Sequence, residues 1–216
     1  MVNYLIIGAN ESLGTVFSQA LPAAGDAVWL AARQAPPPVA DPAAPVRWIP
    51  ADLSQRGAGA AIAQHYNDPV LDVCVFAMGD WPLIPLNAED SAGRLMANQF
   101  TSAIVCVQKL LPNLRRSGNP RVVFTGQGGL PEALNDQNVF GLRGVANALR
   151  EVVRRDHIGV TFINLGQPLP EDPSPAGLFQ APAAATVDDL LAVLRCVISL
   201  SPASCVRELD LLAMQR

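Results

Sequence analysis

The strongest constraint on the fold of this 216-residue chain is the alternation of short apolar runs with helical patterns. Tyr4–Ile7, Val28–Ala32, Val46–Ile49, Val70–Phe76, Val122–Thr125, Val160–Ile163 and Val206–Leu212 read as strands. Several are apolar on consecutive positions, as strands buried on both faces of a parallel sheet are. Between them apolar residues recur at the helical period in Leu13–Ala23, Ala58–His65, Asp90–Arg115, Val139–Arg155 and Val187–Ser199. Such alternation implies right-handed crossovers, with helices on both faces of the sheet. The expected architecture is α/β: a doubly wound parallel sheet of about seven strands, in one domain spanning residues 1–216.

Composition narrows the function classes. Half of the residues are hydrophobic, enough for a sizeable core, and the net charge of −4 argues against a nucleic-acid partner. No apolar run approaches the roughly 18 residues needed to span a membrane. The opening "MVNYLIIGAN" lacks a basic start and enters a strand at once, so no cleaved leader is expected. Cys74, Cys106, Cys196 and Cys205 show no ligand spacing, and the first two lie in apolar runs, where cysteine behaves as a small hydrophobe. The expectation is a cytoplasmic protein without disulfides or a metal site. Two proline-rich segments, Arg33–Pro45 and Gly166–Pro182, read as surface loops. The second follows a strand's carboxyl end, where open α/β sheets bind ligands.

"YLIIGANESLGTVFSQAL" is a strand, a glycine turn and a helix. Gly8 ends the strand and Gly14 opens the helix. A glycine lets backbone approach a phosphate closely, and unpaired N–H groups at a helix start favour an anion. The spacing Gly8…Ser12…Gly14 resembles the TGxxxGxG turn of the short-chain dehydrogenase/reductase family, with Ile7 in place of threonine and Ser12 in place of the middle glycine. Further segments resemble the family in order: "WLAARQ", "PADLSQ", "VCVFAMGDW", "RLMANQF", "RVVFTGQGG" and "GVTFINLGQP". In the third, Phe76, Ala77 and Met78 stand where the family has Asn-Asn-Ala, and Gly79 matches. Leu165–Gly166 stands where strand six should end in Pro-Gly.

The resemblance implies a Rossmann-type domain that binds NAD(P). It carries cofactor contacts onto Gly8, Asn10, Ser12, Leu13, Gly14, Arg33, Asp52, Leu53, Ala77, Met78, Gly79, Thr125 and Gly166. Arg33, just past strand two, suits the 2′-phosphate of NADP; a carboxylate there would favour NAD. Asp52 corresponds to the residue that meets the adenine. Glu11 opposes a phosphate if it points inward.

Reductases of this family use a serine, a tyrosine and a lysine. The lysine cation lowers the phenol's pKa by favouring the phenolate. Tyrosine and lysine stand one helical turn apart, on one face. In this chain the serine position falls on Gln127, the tyrosine on Phe140 and the lysine on Gly144, while Asn98 retains the family's helix-four asparagine. Phenylalanine transfers no proton, glycine offers no charge, and glutamine is not an acid. Composition makes the same point without an alignment: Lys109 is the single lysine, and no tyrosine follows Tyr66.

The stretch around these positions, "NVFGLRGVANAL", reads as a helix capped at Asn138, with Gly141 and Gly144 each costing about 1 kcal/mol of helix propensity. Arg143 is a stand-in cation displaced about 100° round that helix. His65 and His157 read as surface or capping residues, and Asp80, Glu89 and Asp90 as loop charges at the cleft mouth. Trp81 either lines that cleft or covers the sheet edge.

The leading expectation is a nucleotide-binding protein without standard reductase activity: a sensor, scaffold or partner subunit. One alternative is an NADP-dependent oxidoreductase on a small carbonyl or alcohol, with rearranged acid–base groups such as Asp80, Arg143 or a bound water. Another is an interaction module that binds no nucleotide. Gln99–Leu114 and Val139–Arg155 resemble the helices through which family members dimerise, so a homodimer or homotetramer is expected.

Overall fold

The computed structural model describes residues 1–8, 13–35, 44–78, 89–127, 135–165 and 186–211, and the backbone alone at 78, 89–98, 127 and 135–140. In chain order the elements are β1 (Asn3–Gly8), α1 (Leu13–Ala20), β2 (Ala27–Ala32), β3 (Val46–Pro50), α2 (Ala58–His65), β4 (Val73–Met78) and α3 (Glu89–Leu114). There follow β5 (Arg121–Gln127), α4 (Asn135–Val153), a 3-10 turn (Arg154–Asp156), β6 (Gly159–Leu165), α5 (Val187–Ser199) and β7 (Glu208–Leu211). The seven strands form one sheet in the order β3-β2-β1-β4-β5-β6-β7, and every pairing is parallel. This is the doubly wound sheet expected from the apolar runs.

The consecutive apolar residues divide between two cores, because successive side chains of a strand point to opposite faces. Leu5, Ile7, Cys74, Phe76, Val122, Phe124 and Phe162 pack under α2, α3 and α4. Tyr4, Ile6, Val73, Val75, Val123 and Ile163 pack under α1 and α5. Phe76 and Phe124 stack, with ring centroids 4.6 Å apart.

The helices on the first face approach one another closely, and glycine permits it. A Cβ added at Gly59 of α2 would stand 1.9 Å from the Ser102 carbonyl oxygen of α3. One added at Gly141 of α4 would stand 2.2 Å from the Phe100 ring of α3. Gly141 therefore has a packing reason that offsets its propensity cost.

Element ends differ from the sequence reading where backbone groups bond elsewhere. The apolar run at Val70 joins the sheet only at Val73: the Leu71 N–H donates to Asn113 and that of Asp72 to Asn3. α1 stops at Ala20, short of Ala23, because Pro22 can supply no N–H. α4 begins at Asn135, so Asn138 lies inside its first turn and does not cap it. No glycine or proline between Asn135 and Phe140 opposes that earlier start. At the far end the helix tightens into the 3-10 turn, which His157 closes at φ 56°. β7 begins at Glu208, after the Val206 and Arg207 carbonyls accept from the Thr161 hydroxyl and the Phe162 N–H.

Candidate functional site

The parallel register aligns the candidate positions along the carboxyl edge of the sheet. Gly8 pairs with Ala77, Ala77 with Thr125, and Thr125 with Ile163. On the other side Ala32 pairs with Pro50, so Arg33 and Asp52 emerge at the same edge. Gly8 is fixed by local packing: a Cβ there would stand 2.9 Å from the Ala77 carbonyl oxygen and 3.4 Å from Gly14 Cα. β1, β4 and the start of α1 converge on that point, which leaves Gly8 no room for a side chain.

The side chains at this edge differ in what they offer. Arg33 is exposed. Asp52 lies part-buried nearby, and its carboxylate accepts from the Ser54 N–H at 2.9 Å and the Ser54 hydroxyl at 2.6 Å. Burial works to raise the Asp52 carboxyl, but the Ser54 bonds, the Gln55 amide and the Arg33 guanidinium outweigh it and hold it below its ordinary value. Leu53 and Leu13 are buried. Thr125 is fully buried, and its hydroxyl donates to the Phe76 carbonyl at 3.4 Å. Asn10, Ser12, Gly79 and Gly166 lie outside the described residues, as do Glu11, Asp80 and Trp81. Only the backbone of Met78, Glu89, Asp90, Asn98, Gln127 and Phe140 is described.

An anionic dinucleotide fits what this edge presents: a cation beyond β2, a carboxylate held ionised beyond β3, and at the end of β1 a Gly8 with no room for a side chain. The positions expected from the sequence to carry the proton-transfer set are a different matter. Phe140 and Gly144 stand one turn apart on α4, and Gln127 ends β5. Gly144 is exposed, and a Cβ there would meet nothing within 4 Å.

The two tyrosines lie elsewhere in the fold. Tyr4 lies near the amino end of β1, where burial first, then Asp26 and Asp72, push its phenol up to about 12. Tyr66 follows α2 and donates to the Val70 carbonyl at 2.7 Å; burial holds its phenol well above the usual tyrosine value. Lys109 is exposed on the later part of α3, toward the end that leads into β5 and away from the carboxyl edge.

Arg143, the displaced cation, is held by β7. Its Nη2 lies 2.6 Å from Glu208 Oε1 and 3.8 Å from Asp210 Oδ1, and its guanidinium stands 5.7 Å from the Phe162 ring centroid. Sequence reading missed those carboxylates, because β7 reaches α4 only through its pairing with β6. His65 is exposed, with Nδ1 2.8 Å from the Ala61 carbonyl, and His157 is exposed beside the 3-10 turn. Among the described residues no three His, Cys, Asp or Glu side chains are grouped to hold a metal, and no described helix is long and apolar enough to cross a membrane.

No protein-family model matches the chain. A curated relative does: the rhamnolipids biosynthesis 3-oxoacyl-[acyl-carrier-protein] reductase of Pseudomonas aeruginosa is 30% identical over 183 residues, covering 76% of this chain and 71% of the relative. Solved structures agree in fold. A β-ketoacyl-[ACP] reductase from Bacteroides thetaiotaomicron superposes with TM-score 0.71 at 17% identity, over 99% of this chain and 97% of that one. The RhlG/NADP active-site complex of P. aeruginosa gives 0.68 at 22%, over 97% and 94%. A short-chain dehydrogenase family protein from Francisella tularensis gives 0.74 at 15%, over 98% and 97%. The strand order, the Gly8…Gly14 spacing and this identity across most of a reductase lead to one conclusion: the chain belongs to the short-chain dehydrogenase/reductase family.

Proposed function

We propose that this chain is a single-domain NADP(H)-binding member of the family that lacks the proton-transfer set, and acts as a nucleotide sensor, scaffold or partner subunit. The observation that carries this reading is Gly144: the lysine position is open to solvent and bears no side chain, on a helix with Phe140 one turn earlier. The two tyrosines are buried away from this helix, and the single lysine sits on α3, so no other residue supplies the missing pair.

Gly8, Gly14, Arg33 and Asp52 support nucleotide binding. Arg33 would take the 2′-phosphate, which favours NADPH over NADH, and Asp52 would accept from the adenine. A bound nicotinamide would supply hydride chemistry, and the protein's part in any reaction would be to position it. A general acid typically contributes 10²–10⁴-fold, so absence of the whole set leaves little of the standard reaction. The ion pairs of Arg143 with Glu208 and Asp210 weigh against that residue as a replacement acid. The exposed faces of α3 and α4 are proposed to join copies of the chain into a homodimer or homotetramer.

The test is titration of NADPH against the protein, followed by nicotinamide fluorescence. Saturable binding is expected, weakened about tenfold by Arg33→Gln, the order of one charge-assisted contact. Absence of saturable binding up to millimolar NADPH would refute the nucleotide reading.

A further inference from the structure

At the opposite edge of the sheet, where β5 and β6 begin, a cavity of about 330 Å³ opens among arginines. Arg121, Arg150, Arg154 and Arg207 line it, together with His157 and Cys205. The chain as a whole carries a net charge of −4, so this concentration of cations runs against its composition.

The charges here are met by neutral groups. Arg121 is 2% exposed, and its guanidinium donates to the carbonyls of Ser204 at 2.7 Å, Leu200 at 2.7 Å and Ser201 at 2.8 Å. Its buried Nε–H has no hydrogen-bond partner among the described residues. Gly159 makes the room: a Cβ there would stand 2.5 Å from Arg121 Nη1. Arg150 donates to the carbonyls of Val160 at 3.0 Å and Arg207 at 2.7 Å. Among the described residues no carboxylate lies within ion-pair distance of these four arginines.

A buried cation satisfied only by carbonyls keeps its charge uncompensated, and close cations repel. Burial and then the Arg207 guanidinium hold Arg150 below its ordinary value, although Cys205, Glu208 and Glu151 act the other way. His157, the left-handed cap of the 3-10 turn at φ 56°, stands at the rim.

We propose that this cavity binds a small soluble phosphate-bearing molecule, at a site separate from the nucleotide edge. Phosphate oxygens match the planar fork of arginine, and an anion would relieve the mutual repulsion of the cluster. The concave shape and a volume near the lower end of small-molecule sites suit a small ligand better than a membrane surface.

Calorimetric titration of the full chain with pyrophosphate, at ionic strength fixed by sodium chloride, tests this. Saturable binding is expected in the wild type and in Arg33→Gln. The double substitution Arg154→Gln/Arg207→Gln removes two exposed rim charges without touching the core, and should weaken binding about tenfold or more. No saturable heat in the wild type would overturn the proposal. So would binding that survives the double substitution unchanged, or that disappears with Arg33→Gln, which would place the anion at the nucleotide edge.

Discussion

Substitution of Gly59 by alanine tests the packing that holds α2 on α3. The added Cβ would stand 1.9 Å from the Ser102 carbonyl oxygen, 2.7 Å from its carbon and 2.9 Å from its Cα. These are backbone atoms, so no rotamer change relieves the overlap. The nearest contact falls about 1.5 Å short of an ordinary 3.4 Å approach, and the two helices would have to part by that order. α2 buries Ala58 and Ile62 in the same core, so parting also loosens them. Overpacking costs about 1–3 kcal/mol, and backbone against backbone belongs at the upper end. Alanine returns about 1 kcal/mol of helix propensity. The net is a loss of about 2 kcal/mol, or about 4–8 °C in melting temperature for a chain of this length. Gly144→Ala is the control: with nothing within 4 Å it should gain about 1 kcal/mol, and melt about 2–4 °C higher. Thermal unfolding followed by circular dichroism reads both. A Gly59→Ala protein as stable as the wild type, or a Gly144→Ala protein destabilised like it, would refute the reasoning.

The cysteines should separate by burial. Burial pushes the Cys106 thiol up to about 12, and burial and then Cys106 hold Cys74 well above its usual value; Cys196 and Cys205 are exposed. A thiol-disulfide colorimetric reagent should therefore titrate two groups in the native protein and four after denaturation. Asp52 ionises more readily folded than unfolded, so its contribution to stability is full above the unfolded value of 3.8 and is lost as pH falls through the lower folded value. Unfolding curves in acid should show Asp52→Asn losing less stability than the wild type over that window. Finally, Gln127→Ser/Phe140→Tyr/Gly144→Lys rebuilds the family's set, and NADPH consumption with a carbonyl panel should rise about 10²-fold or more over the wild type.

The sheet was legible because a strand buried on both faces must be apolar at consecutive positions, and β1, β4, β5 and β6 are. Its edges were less so. Val70 to Asp72 look like strand, but the N–H groups of Leu71 and Asp72 bond to Asn113 and Asn3, and no local pattern reveals that. Gly141 reads as a propensity cost until Phe100, from a helix distant in sequence, is found against it. The carboxylate partners of Arg143 and the arginine cavity were missed for a similar reason: those neighbours come from β7 and the loop before it, joined to α4 only by folding. The absence of a tyrosine–lysine pair, in contrast, is a property of composition and needs no coordinates. What the structure adds is that a Cβ at Gly144, the position expected for the lysine, would have open space and that both tyrosines are buried.

The central claim is that this family member holds a nucleotide and moves no proton by the family's route. It is tested most directly by incubating the wild-type protein with saturating NADPH and a broad panel of carbonyl compounds, and following nicotinamide absorbance. The account predicts consumption indistinguishable from the protein-free control. Steady turnover of any member of the panel, at the rate of an ordinary reductase, on the order of 10 per second, would contradict it.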